Sequence, residues 1–182
     1  MQEKNDKQIL ALFKDKQNRE KAFNLIVQRY KERLYWHIRK IVLDHEDTDD
    51  VLQNTFIKVW GKLGDFRQES ELFTWIYRIA TNEALGFLRK KKRRQLLASE
   101  NFEGNKQESY LSDDWYSGDE IQQKLTKAIE QLPEKQKLVF NMRYYEEMPY
   151  EKISSILKTS QGALKASYHL AVKKIEKFIN MD

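Results

Sequence analysis

The sequence predicts an all-α protein: two small helical domains joined by a flexible acidic linker, the second domain with a helix-turn-helix. Three observations support this. Only 6 Gly and 2 Pro occur in 182 residues, so long helices are favoured over a turn-rich β fold. Apolar residues recur with a helical period in both halves of the chain. Between the halves, residues 99–120 show no period and carry seven acidic residues (Glu100, Glu103, Glu108, Asp113, Asp114, Asp119, Glu120) against Lys106 alone. Such a stretch reads as a polar tether with little structure of its own. The domain boundaries fall at 6–95, 96–120 and 121–182.

In the first block, Phe23, Ile26, Val27, Tyr30, Leu34, Ile38, Ile41 and Val42 give residues 22–42 one apolar helical face. The run DHEDTDD at 44–50 is a polar break. Thr48 or Asp47 is expected to cap the next helix, where acidic residues suit the positive end of the dipole. That helix turns Leu52, Thr55, Phe56, Val59 and Leu63 inward, with Gly61 and Gly64 near its end. A long helix follows over 72–94, with Ser70 a candidate cap.

The stretch from 66 to 94 carries the most chemistry. Phe66, Phe73, Trp75 and Tyr77 come first, and an unbroken basic run, Arg89, Lys90, Lys91, Lys92, Arg93 and Arg94, closes it. Aromatic rings can stack on unpaired bases, and rows of Lys and Arg neutralise phosphates whatever the base sequence. Together they point to a surface where duplex DNA gives way to single strand; a core helix with a solvated charged end is the alternative.

In the second block, Ile121, Leu125, Ile129 and Leu132 mark one helix, and Pro133 restarts the chain. Leu138, Val139, Met142 and Tyr145 mark another, with Pro149 after it. Ile153, Ile156 and Leu157 form a short helix, the turn Lys158-Thr159-Ser160 follows, and Ala163 to Ile179 carry a longer one. Short helix, tight turn and longer helix is the layout of a helix-turn-helix, whose second helix enters the major groove. Its outward residues are Gln161, Lys165, Ala166, Ser167, His169, Lys173, Lys174 and Lys177. Lysines suit phosphates, while Gln, Ser and His can bond to base edges. A four-helix bundle with a solvated lysine face is the alternative.

Several function classes are disfavoured. With no Cys there are no disulfides and no thiolate sites. His37, His45 and His169 are scattered without metal-ligand spacing. No Gly-rich phosphate loop or catalytic constellation occurs, so neither enzyme activity, a metal, a cofactor nor a small-molecule substrate is expected. The N-terminal residues lack an apolar core of signal-peptide length, and no window approaches a membrane span. A cytoplasmic protein without membrane insertion is therefore expected.

With both blocks in view, the chain resembles the sigma-70 family of bacterial RNA polymerase sigma factors, in its extracytoplasmic-function group. The resemblance runs from about residue 22 to 179. It is carried by DDVLQNTFIKVW (49–60), FRQES (66–70), FTWIYRIATN (73–82), LPEKQKLVFNMRYYEEMPYEKIS (132–154) and SQGALKASYHLAVKKI (160–175), in this order. It implies that Asp50, Gln53 and Asn54 dock on the coiled-coil clamp of the polymerase β′ subunit, with Phe56 and Trp60 packed beneath. It implies that Phe66, Arg67, Gln68 and Ser70 form a loop that captures a flipped base of the minus-ten element. Trp75 and Asn82 are expected to contact the same strand, and the basic run the duplex just upstream. The second block would read the minus-thirty-five element with Gln161, Gly162, Lys165, Ala166, Ser167, His169, Lys173 and Lys174, and would also contact the β flap. Promoter DNA, core polymerase and an anti-sigma factor are the implied partners.

The chain departs from the resemblance at Ser167 and Leu170, where many relatives carry Arg, and at Ala163-Leu164. Leu cannot make the charge-assisted contacts of Arg, so phosphate anchoring is expected to shift to Lys165, Lys173 and Lys174. The competing reading is a helix-turn-helix regulator that does not support initiation. A helical interaction protein without a nucleic-acid partner is a third.

Overall fold

The structure is a computed structural model and describes residues 5–99 and 120–180. Every regular element among these residues is a helix. The chain divides into two compact units, residues 1–98 and 99–182. The acidic residues assigned to the tether from Glu100 to Asp119 lie outside the described residues.

In the first unit, α1 (Asp6–Lys14) is a short helix that hydrophobic period did not single out. Its start is fixed by a capping box: the Asn5 side chain accepts from Gln8 N–H, and the Gln8 side chain accepts from Asn5 N–H. Ile9 and Phe13 bury against the rest of the unit. Asp6 accepts from Arg29 Nη1 at 2.7 Å and from the Tyr30 hydroxyl at 2.6 Å, tying α1 to the next helix. Burial, then the Asp6 hydrogen bond, push the Tyr30 hydroxyl well above the usual tyrosine range.

After a 3₁₀ turn, α2 (Arg19–Val42) runs to Leu43, which takes a left-handed conformation at φ 68° and donates its N–H to Arg39 O. This is a common helix stop, here without the usual Gly. The N-cap of α3 (His45–Lys62) is Asp44, whose carboxylate accepts from Asp47 N–H. The cap therefore lies earlier than Asp47 or Thr48. Thr48 is fully buried, its hydroxyl turned back on Asp44 O, so it cannot serve as the exposed first acceptor. The long helix α4 (Leu72–Ser99) continues past Arg94, where the sequence pattern fades. Ile26, Leu34, Ile38, Val59, Ile76 and Ala80 form the sealed centre.

One polar pair is enclosed in that centre. Thr81 Oγ donates to Tyr77 O at 2.8 Å and lies 2.8 Å from His37 Nε2. The Thr81 hydroxyl thus bridges the Tyr77 carbonyl and the His37 ring, accepting from Nε2 in the tautomer that carries the hydrogen there.

The second unit consists of α5 (Glu120–Glu130), α6 (Glu134–Tyr144), α7 (Tyr150–Leu157) and α8 (Gln161–Ile179). Pro133 and Pro149 occupy the N-caps of α6 and α7. Lys158 closes α7 at φ 53°, and the Ser160 hydroxyl accepts from Ala163 N–H to open α8. The helix-turn-helix expected from the sequence is thus built on this turn. Leu138, Val139, Met142, Ile153, Leu164 and Ala171 fill the interior. Lys137 is pushed down from the usual lysine range by burial, against the opposing pull of Glu130 and Glu134.

Candidate nucleic-acid and polymerase interfaces

Asp50, Gln53 and Asn54 are all exposed on α3. Their spacing puts them on one outward face, since positions three and four apart adjoin on a helix. Ile57 continues that face one turn further and is 60% exposed. The sequence reading missed it, although its spacing of seven from Asp50 and four from Gln53 is the signal. Phe56 is half-buried, edge-on to Phe23 at 6.3 Å. Trp60 packs edge-on against Phe23 at 5.0 Å and Phe13 at 5.7 Å, yet keeps 42% of its surface exposed at the rim of the face.

The loop over 66–71 leaves Arg67 and Gln68 exposed and Ser70 half-buried. Gln68 sits at φ 58°, a conformation that costs a non-glycine residue energy and is often found at functional sites. Phe66 lies on Trp75, ring centroids 4.9 Å apart. The four rings singled out in the sequence therefore divide. Phe66 and Trp75 form a half-buried pair, and Phe73 is half-buried under the Arg33 guanidinium at 5.0 Å. Tyr77 is only 1% exposed and unavailable for stacking on bases. Its helical position turns it inward with Ile76 and Ala80, its ring 4.9 Å from His37.

Along α4, the helical period lines up Trp75, Asn82, Gly86, Arg89 and Arg93 as one stripe. Asn82, Arg89 and Arg93 are exposed, and Lys90, Lys92 and Arg94 flank the stripe in exposed positions. Lys91 points to the opposite side. Its ammonium meets the Asp47 carboxylate on α3 at 2.5 Å, with both side chains mostly covered. A second cross-link, Lys58 to Glu83 at 2.5 Å, joins the same two helices.

On α8, Leu164, Ala171 and Ile175 are buried, with Tyr168 and Val172 partly so. Gln161, Gly162, Lys165, Ala166, His169, Lys173 and Lys174 are exposed on the other sides, and Ser167 is half-exposed. The Lys165 ammonium sits 5.8 Å from the centre of the Tyr150 ring, which the Arg143 guanidinium approaches at 5.3 Å. Tyr150 therefore steadies the start of the second helix of the motif through a cation–π contact. Among the described residues, no group of three or more His, Asp or Glu could hold a metal ion. No described helix is long and apolar enough to cross a membrane.

An aromatic pair and a basic stripe in one helical unit, with a lysine-faced helix-turn-helix in the other, define a DNA-engaging helical protein. Comparison with known proteins makes the class specific. The first unit matches the family model for sigma-70 region 2 over residues 26–94, and the second that for sigma-70 region 4 over residues 122–175. The chain is 32% identical over 165 residues to the ECF RNA polymerase sigma-E factor of Escherichia coli K12, covering 86% of each chain. The RNA polymerase sigma-H factor of Pseudomonas aeruginosa matches at 32% identity with the same coverage. Among solved structures, the sigma factor RpoE of Bartonella quintana, in complex with the anti-sigma factor NepR, superimposes with a TM-score of 0.70 at 21% identity, covering 89% of this chain and 99% of that one. CnrH, in complex with the cytosolic domain of CnrY, gives 0.65 at 20% identity, covering 90% of each. The chain belongs to the sigma-70 family, in its extracytoplasmic-function group, and is a sigma factor for promoter-specific transcription initiation.

Proposed function

We propose that the two units divide promoter recognition between them, on a chain that adds no catalysis of its own and works in the cytoplasm. The α3 face of Asp50, Gln53 and Asn54 docks on the β′ clamp coiled coil, with Ile57 as its apolar centre. The 66–71 loop and the Phe66–Trp75 pair receive a base extruded from the minus-ten strand. Unstacking a base costs about a few kcal/mol, which stacking and edge hydrogen bonds from Gln68 and Asn82 offset. Arg89, Lys90, Lys92, Arg93 and Arg94 hold the upstream duplex by its phosphates. Lys91 is committed to Asp47 and serves the fold instead. The second unit places α8 in the major groove of the minus-thirty-five element and also meets the β flap. The complex of the related RpoE with NepR supports an anti-sigma factor as a further partner.

The observation that carries this reading is the α4 stripe. One helix face carries Trp75, which Phe66 of the loop covers, then Asn82, Arg89 and Arg93, in the order needed to pass from unpaired strand to duplex. The test is run-off transcription: the purified chain is added to core polymerase on genomic fragments and start sites are mapped. Discrete new starts sharing an upstream motif are expected. Salt-sensitive DNA binding without any start would instead mark a regulator that kept the fold.

A further inference from the structure

The outward face of α8 changes character along its length. Opposite the buried side formed by Leu164, Ala171 and Ile175, the helical period sets Ala163, Ala166 and Leu170, all exposed. Leu170 alone is 49% exposed. Beyond them the same face continues as Lys173, Lys174 and Lys177, while Lys165 lies on another side of the helix, over Tyr150. The helix has no Arg, and its one acidic residue, Glu176, lies close to its C-terminal end.

An apolar stripe rimmed by lysines and free of acids fits a polyanion that presents methyl groups. In the major groove, the only apolar group on any base edge is the thymine C5-methyl. Guanine is read chiefly by bidentate donation from Arg or Lys to O6 and N7, and Ala and Leu side chains have no donor. Resting on the reading that α8 enters the duplex, we infer that Ala163, Ala166 and Leu170 select an A·T-rich upstream element by packing against thymine methyl groups. The lysines supply affinity through phosphates without reading sequence.

The full chain with core polymerase would be used in run-off transcription on templates with a randomised upstream element and a fixed minus-ten element. Productive templates are expected to share thymines at fixed positions. Each such thymine is then replaced by deoxyuracil, which removes only the methyl group. Initiation should fall about four-fold per contacted thymine, the scale of one methyl group leaving an apolar contact. Leu170→Ala, starting from a lower rate, should lose its response to the substitution at one of these positions. A required guanine, or full activity on deoxyuracil templates, would overturn the inference while leaving α8 a duplex reader. Initiation indifferent to the whole upstream element would overturn that reading as well, and would assign the stripe to a protein partner. Absence of initiation on every template would remove the promoter-reading basis of both.

Discussion

The Lys91 ammonium reaches from the basic end of α4 to the Asp47 carboxylate in the first turn of α3, at 2.5 Å. One residue of an otherwise solvent-facing basic run is thus diverted into the fold, joining α3, with the proposed docking face, to α4, with the proposed DNA stripe. Asp47→Asn and Lys91→Met should each cost about 0.5–1 kcal/mol, and the double variant little more than either alone. Thermal unfolding of the four proteins reads this directly. In a salt titration of DNA binding, Arg89→Ala should reduce the slope by about 0.9, whereas Lys91→Met should leave it nearly unchanged. Equal slope changes would place Lys91 at a phosphate.

The enclosed His37–Thr81 pair sets a second expectation. Thr81→Val keeps the volume but removes the hydroxyl that bonds His37 Nε2 in the interior, at a cost of about 1–3 kcal/mol. For a unit of this size each kcal/mol lowers the melting temperature by about 4–8 °C. Thr81→Ser should retain most of the wild-type stability.

Gly86 gives an expectation of opposite sign. It lies inside α4, and a Cβ there would meet only Arg89 Nη2, at 3.8 Å. Gly86→Ala should therefore stabilise the first unit by about 0.5–1 kcal/mol, measured by denaturant unfolding. Because Gly86 lies within the proposed DNA stripe, transcription measured in parallel shows whether DNA needs that space.

The proposed docking face predicts a separable defect. Asp50→Ala with Gln53→Ala, and independently Ile57→Glu, should weaken association with core polymerase by about ten-fold or more, as expected for the centre of an interface. All of these side chains are solvent-facing, so melting temperatures should barely move. Unchanged core affinity would place the docking surface elsewhere.

Much of this was legible in the sequence because it rests on periodicity. The two helical units, the Lys158–Ser160 turn and the polar outward residues of α8 follow from spacing, whereas the exposure of Ala163 and Leu170 does not. What escaped was set by tertiary context. Helix α1 buries only Ile9 and Phe13, too few apolar positions to show a period, and is anchored instead by Asp6 reaching Arg29 and Tyr30. The cap of α3 fell on Asp44 among several acids equally suited to the role. Tyr77 and Lys91 were grouped with their neighbours by composition, whereas the turn of α4 sends both to the protein side. Ile57 was hidden by its chemistry: an apolar residue in a helix reads as core until the neighbouring buried face is seen to exclude it.

The most direct test of the central claim is permanganate footprinting of polymerase carrying this chain on a promoter mapped by run-off transcription. Permanganate oxidises thymines that have left the stack. The wild-type chain should make minus-ten thymines reactive, and Asn82→Ala combined with Arg89→Ala should abolish that reactivity while core binding persists. Undiminished reactivity in the variant would show that the α4 stripe does not hold the opened strand.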